Sequence, residues 1–336
     1  MFRLLLAGLL ILQLFTVDHA AILHDKIMGI KNSIPATEDS ARKKLYSLLG
    51  RLPQRYRPVT AKRDSVTERD GMIIEKWSLD LNGLENVPAF FVKPANIKGR
   101  LPVVLFNHSH FGQYQVGKNE LIEGRKEMQD PPYATALARM GIASFCIDAW
   151  GFGERNTRSE QDIFKEMLWK GQVMWGMMVY DNLRALDYLF TRDDVDTQRV
   201  ATMGMSMGST MAWWLAALDE RIKVCVDICC LTDFQELIRD NGLSRHSIYY
   251  YVPDLLNHFS TSDINALIAP RHHFGLAGRF DPLTPVSGLE IIDKNMKRVY
   301  TERNAAANWQ LKIYDVPHLE NEAMRKDILD YLKKWL

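Results

Sequence analysis

The chain has 336 residues, 47% of them hydrophobic, with 42 Lys and Arg against 41 Asp and Glu for a net charge of +1. That apolar content supports a large core, in one large domain or one domain with elaborations. The even charge balance and the lack of a basic cluster argue against a nucleic-acid or polyanionic partner, and no internal repeat or low-complexity tract is present.

At the N-terminus, Met1-Phe2-Arg3 gives a short positive start, and Leu4 to Phe15 is an apolar run too short for a comfortable membrane span. Residues 1–20 therefore read as a signal peptide or leader, with the mature chain beginning near Ala21. Asp18 or His19 falls where a cleavage site prefers a small residue, so an uncleaved leader serving as a membrane anchor is the alternative. The expected location is secreted or periplasmic. The cysteines, Cys146, Cys225 and the adjacent Cys229 and Cys230, read as small buried apolar residues rather than a disulfide framework.

Residues 21–60 read as a mostly helical, polar extension, with Pro53 and Pro58 marking a linker into the core. Strands near 72–80 and 88–93 suggest an antiparallel opening. From residue 102 to the end, strand and helix patterns alternate, which predicts an α/β fold with a mostly parallel central sheet flanked by helices. The apolar strand Leu101–Asn107 is followed by the polar loop His108-Ser109-His110-Phe111-Gly112. A second loop, Trp150 to Arg155, leaves the C-terminal end of its strand, the side on which such sheets bind ligands. The helix expected over Gly171–Phe190 carries Val173, Trp175, Met178, Val179 and Leu183 on its core face, with Asp181 and Asp187 as exposed charges.

The run Gly204-Met205-Ser206-Met207-Gly208 lies between the strand-like Arg199–Met203 and the helix-like Ser209–Ala217. A serine in a tight strand-to-helix turn needs small residues two positions away on either side, where the backbones approach closely. Its hydroxyl then stands at the positive end of the following helix. Ser206 is accordingly read as a nucleophile, which needs a base and an orienting acid. Asp281 follows the strand-like His272–Gly278 in a turn locked by Pro282. His318 follows the strand-like Trp309–Val316 and precedes a helix from Glu320 to Leu336. Alone, Asp281 is an ordinary turn-former and His318 an ordinary helix-entry residue; in order behind the elbow they make a triad, with Asp315 as the reserve acid. His272 and His273 fall at the wrong end of the sheet to serve as the base.

The oxyanion hole is assigned to the backbone N–H groups of Met207 and His110. The segment from Phe234 to Phe259, within a cap insertion at about 234–262, contains His246, Tyr249, Tyr250, Tyr251 and His258. Its tyrosines offer flat apolar faces with hydroxyl tips, suited to sugars or aromatic acyl groups. With His108, Trp150 and Arg155, the cap residues His246, Tyr249, Tyr250 and Tyr251 are the substrate-binding candidates; closing the core, buttressing the oxyanion loop, or pairing with a local acid is the alternative role.

The stretch Phe106–Gly112, the run Asp148–Arg155, the elbow, and the Asp281 and His318 loops together resemble the α/β-hydrolase superfamily. More narrowly, they resemble its dienelactone hydrolase and acetyl xylan esterase-like branch, related to prolyl oligopeptidase catalytic domains. The likeness spans roughly residues 60–336, giving a catalytic domain at 61–336 behind the extension. Two departures stand out: the elbow carries serine where dienelactone hydrolases use cysteine, and Ser109 stands where many relatives have glycine. The resemblance implies a serine hydrolase without metal or organic cofactor, cleaving short-chain esters such as acetylated carbohydrates. The alternatives are a prolyl oligopeptidase-like peptidase, for which the chain is too short to add a propeller gate, and an inactive hydrolase fold that only binds.

Overall fold

The computed structural model describes residues 38–336. The expected leader, and residues 21–37 of the expected extension, lie outside the described residues. Within them the extension contributes helix α1 (Glu38–Ser47), which has acids in its first turn and Lys44 in its last, as the helix dipole favours. Ala41 and Leu45 are buried, and Arg42 donates to the carbonyls of Ala217 and Leu267 at 3.1 and 2.9 Å.

Strand β1 (Thr60–Arg69) is a feature that hydrophobic patterning does not predict. Its sequence TAKRDSVTER has no apolar face and every residue is exposed. It pairs antiparallel along its whole length with β2 (Met72–Asp80). Asp70 and Gly71 both adopt positive φ, 53° and 74°, the backbone of a tight hairpin turn. Hydrogen bonding and turn chemistry hold this strand, and its charges guard the sheet edge against pairing with another chain.

The remaining strands are β3 (Val87–Pro94), β4 (Leu101–Asn107), β5 (Ala143–Ile147), β6 (Val195–Met205), β7 (Val224–Ile228), β8 (His272–Gly278) and β9 (Trp309–Tyr314). They form one sheet of order β1-β2-β3-β5-β4-β6-β7-β8-β9. The pairs from β1 to β5 are antiparallel, and those from β5 through β4 to β9 are parallel. Every residue of β4, β5 and β7 is buried, as expected of strands covered on both faces.

The helices after α1 are α2 (Glu120–Glu123), α3 (Tyr133–Arg139), α4 (Glu160–Trp169), α5 (Met174–Leu189), α6 (Met207–Leu218), α7 (Phe234–Arg239), α8 (Thr261–Ala266), α9 (Val286–Glu302) and α10 (Glu322–Trp335). Alternate strand residues feed two cores. Val103, Leu105 and Phe145 join Trp175 of α5 and Trp213 of α6 on one face. Val104, Phe106 and Val226 join Leu137 of α3 and Ile328 of α10 on the other. Truncating one of these tryptophans to alanine costs about 3–5 kcal/mol. None of the helices among the described residues is long and apolar enough to cross a membrane.

Helix α5 departs from expectation at Asp181. Instead of facing solvent it is 1% exposed, accepts from Asn82 Nδ2 at 2.8 Å and pairs with Arg155 at 2.9 Å. The polar side of α5 is covered by residues distant in sequence, which helical periodicity does not register. Between β7 and β8, the segment expected as a cap contains α7, three single 3-10 turns and α8.

Candidate active site

Met205 ends β6 and Met207 begins α6, leaving Ser206 between them at φ 57° and ψ −118°. A side-chain-bearing residue rarely adopts that conformation, and it costs on the order of 1–3 kcal/mol, which surrounding packing must offset. The neighbours show why glycine flanks it. A Cβ on Gly204 would stand 2.4 Å from the carbonyl oxygen of Asn107, and one on Gly208 only 1.9 Å from the same atom. The Ser206 N–H donates to Ile228 O at 2.9 Å, fixing the turn to the end of β7.

The loops after β8 and β9 bring the other two residues to this serine. His318 Nε2 lies 2.9 Å from Ser206 Oγ, and His318 Nδ1 lies 2.6 Å from Asp281 Oδ2. A carboxylate only accepts, so Nδ1 carries the proton and Nε2 is left to accept from the serine hydroxyl. Asp281 is 5% exposed, and its Oδ1 also accepts from the Leu283 N–H at 2.9 Å. The two loops are tied directly, since the Phe280 N–H donates to Val316 O at 3.1 Å. Two residues past the histidine, buried Glu320 takes the Arg325 guanidinium at 2.7 and 2.8 Å and the Gln129 N–H at 3.0 Å. Asp315, the reserve acid, is exposed and pairs with Arg279 instead.

A second buried carboxylate organises the loop after β4, and sequence reading gave no sign of it. Glu120 is 1% exposed, and its oxygens accept from the Ser109 N–H at 2.9 and 3.1 Å and from the Ser109 hydroxyl at 2.5 Å. Arg125 also bonds Glu120 and reaches Ser109 O at 3.3 Å. Ser109 is thereby held at every polar atom, which accounts for a serine at this position. The next N–H in the chain, that of His110, makes no hydrogen bond among the described residues. Met207 N–H, in the first turn of α6, has no intrahelical acceptor. The loop after β5 is pinned alongside: Asp148, fully buried, accepts from Lys118 Nζ at 2.9 Å and from the N–H groups of Lys118 and Glu154 at 2.7 and 3.0 Å.

A cavity of about 110 Å³ opens onto Ser206, lined by His110, Phe111, Met207, Cys230, Arg245, His246, Ser247, Tyr249, Tyr250, Leu283 and His318. His110 accepts from the Gly112 N–H at Nδ1, and its Nε2–H donates to Tyr249 Oη at 3.0 Å. Burial, reinforced by the neighbouring His108, pushes the His110 pKa down to about 4. Burial likewise lowers His246, whose Nε2–H donates to Leu283 O at 3.1 Å and whose ring stacks 4.4 Å from Tyr250. The cap is tied to the body through Glu160 of α4, which accepts from the Tyr249 N–H at 3.0 Å and from the Tyr114 hydroxyl at 2.6 Å. Beyond Arg245, His246 and Ser247 lies an open polar cleft of about 590 Å³, also lined by Tyr114, Gln161 and Tyr251.

Four of the substrate-binding candidates stand elsewhere. His108 is buried, with its Nδ1–H on Ser109 O at 2.9 Å and its Nε2 accepting from the Ala149 N–H at 3.1 Å, so it ties two loops together. Arg155 is buried against Glu85 and Asp181 and lies 4.5 Å over the Trp150 ring, so neither residue lines the cavity. Tyr251 faces the outer cleft. All four cysteines are free and buried. Among the described residues, two sets of side chains bring three metal-binding donors within 4.8 Å of one another: Cys225, Asp227 and His273, and Cys229, Asp281 and His318.

Residues 65–257 match the family model described as acetyl xylan esterase, a stretch that includes Ser206 and ends before Asp281. The chain belongs to the acetyl xylan esterase family. YtaP of Bacillus subtilis (strain 168), named as a hydrolase, is 49% identical over 295 residues, which are 88% of this chain and 98% of that protein. Among solved structures, the acetyl xylan esterase from Paenibacillus sp. R4 superposes with a TM-score of 0.59 at 17% identity, covering 91% of this chain and 96% of its own. A glucuronoyl esterase from Solibacter usitatus does so with a TM-score of 0.63 at 15% identity, covering 88% and 92%. At those identities the structural likeness concerns the α/β-hydrolase fold. Family membership places this chain with ester hydrolases rather than with the peptidases of the superfamily.

Proposed function

We propose that this member of the acetyl xylan esterase family cleaves short acyl esters of carbohydrates through a Ser206–His318–Asp281 triad. The observation that carries the proposal is the unbroken hydrogen-bonded line from Ser206 Oγ through His318 to Asp281, with the serine held in the strained elbow. His318 Nε2 takes the serine proton as Oγ attacks the ester carbonyl, and Asp281 stabilises the imidazolium that forms. The Met207 and His110 N–H groups receive the developing oxyanion. His318 then returns the proton to the departing alcohol oxygen, and in the second half-reaction draws a proton from the water that releases the acid.

Pocket size supports a small acyl group. The cavity of about 110 Å³ is closed by Tyr249, Tyr250 and Leu283, so a long acyl chain meets aromatic walls. The alcohol side faces the much larger polar cleft, which suits a sugar. The intact proton path disfavours the reading as a binding protein without catalysis.

The test is hydrolysis of p-nitrophenyl esters from acetyl to octanoyl, followed by acetylated sugars. Rates should fall with chain length, and Ser206→Ala should lose roughly 10⁴-fold or more in kcat while keeping its fold. A folded wild-type protein that neither hydrolyses the acetyl ester nor takes a fluorophosphonate label would overturn the proposal.

A further inference from the structure

We propose that Cys229, Asp281 and His318 form an inhibitory site for a thiophilic divalent cation, Zn²⁺ or Cd²⁺. The inference rests on the catalytic reading of Asp281 and His318, and adds to it a thiol that ester hydrolysis does not use. Cys229 directly follows β7, at φ 53°, with its N–H held by Leu276 O at 2.7 Å. Its sulfur, a carboxylate oxygen of Asp281 and a ring nitrogen of His318 all lie within 4.8 Å of one another.

One sulfur, one nitrogen and one oxygen form a donor set that favours zinc and cadmium over magnesium or calcium. Zinc bond lengths of about 2.0–2.3 Å in a tetrahedron place neighbouring donors roughly 3.3–3.7 Å apart. The Asp281–His318 contact, now 2.6 Å, would open by roughly an ångström, and no donor starts farther than 4.8 Å from either partner. Water can take the fourth position. His318 is 14% exposed, which provides a route in from solvent.

The consequence for chemistry follows from proton positions. A cation on Nε2 takes directly the lone pair that accepts from Ser206 Oγ; one on Nδ1 takes the lone pair made available when the Nδ1 proton leaves. In that second case the neutral ring carries its proton on Nε2, which can no longer accept from Ser206 Oγ. The Cys229 thiol gives up its proton to solvent, so each cation bound releases one net proton and the ring stays neutral. Inhibition is therefore reversible by a chelator. In the second donor set, Cys225, Asp227 and His273, no member is more than 1% exposed; the first set shares that burial at Cys229 and differs in the opening at His318.

The experiment titrates the full chain with Cd²⁺, reading both p-nitrophenyl acetate hydrolysis and the ultraviolet charge-transfer absorption of a thiolate–cadmium bond. One equivalent should raise the absorption and abolish hydrolysis together, and EDTA should reverse both. Cys229→Ala should remain active and need on the order of a hundredfold more metal for half-inhibition. Cys225→Ala should keep the wild-type absorption. Absence of the band in the wild type, its loss in Cys225→Ala with retention in Cys229→Ala, or equal metal sensitivity of Cys229→Ala and wild type would each overturn the site. The absorption reads the site even in a protein without esterase activity, so failure here is distinguishable from failure of the catalytic reading.

Discussion

Glu120 does not line the cavity, yet it sets where the proposed second oxyanion donor, the His110 N–H, stands. By accepting from both the N–H and the hydroxyl of Ser109, it fixes the peptide that precedes the His110 N–H. Arg125 balances its charge, so the pair is a buried ion pair whose value lies in geometry more than in net stability. Glu120→Gln keeps the shape and one acceptor oxygen but leaves Arg125 without its anionic partner. A single lost oxyanion donor costs about 10²–10³ in kcat, and a displaced one should cost roughly ten- to a hundredfold. The expected signature in steady-state kinetics is a fall in kcat with KM nearly unchanged, because the donor acts on the transition state. A matching rise in KM would instead assign Glu120 to substrate binding.

At the scale of elements, the segment between β7 and β8 supplies the tyrosines of the cavity wall, and on the proposed reading it selects the acyl group. Tyr250 lines the catalytic cavity on one side and, on the other, an apolar hollow of about 160 Å³ formed with Phe234, Leu237, Val252 and Leu255. Tyr250→Ala should join the two spaces and raise hydrolysis of octanoyl relative to acetyl ester by tenfold or more. Loss of the ring should also destabilise the protein by about 3–5 kcal/mol, visible as a lower Tm. An unchanged chain-length profile would mean that the acyl group does not approach Tyr250. Elements of this kind differ in how far the sequence discloses them. The elbow, Asp281 and His318 each sit at the end of a strand whose own pattern is local, so spacing along the chain was enough to order them. Strand β8 was legible to the residue for the same reason. Strand β1 was not, because its stability comes from pairing with β2 and a hairpin turn rather than from a buried face. Glu120 went unread and the buried pairing of Arg155 with Asp181 was hidden, since a buried charge is recognised only by the distant partner that neutralises it.

Across the whole molecule, histidines gather at the candidate site, His110 and His246 in the cavity wall and His108 tying two loops behind it. Burial lowers His108, His110 and His246 alike, and His110 falls from 6.5 to about 4. In the unfolded chain His110 gains its proton near pH 6.5, whereas in the folded protein it waits until about 4. Between those values the unfolded state binds more protons, so stability declines as pH falls through this window and levels off below it. For His110 alone the loss between pH 7 and pH 5 is on the order of 2 kcal/mol. The buried acids Asp181, Asp227 and Asp233 have raised pKa values from burial and act in the opposite sense, losing stability as pH rises above the ordinary carboxylate range. A single pH profile mixes these contributions; a comparison of variants separates them. Urea unfolding of wild type and His110→Gln at pH 7 and pH 5 should show the wild type losing about 2 kcal/mol more than the variant over that interval. Equal losses would mean that His110 is protonated in the folded protein at pH 5. A charged imidazolium would then face Tyr249 Oη and stand beside the proposed oxyanion donor, and the acyl pocket would be less apolar than its lining suggests.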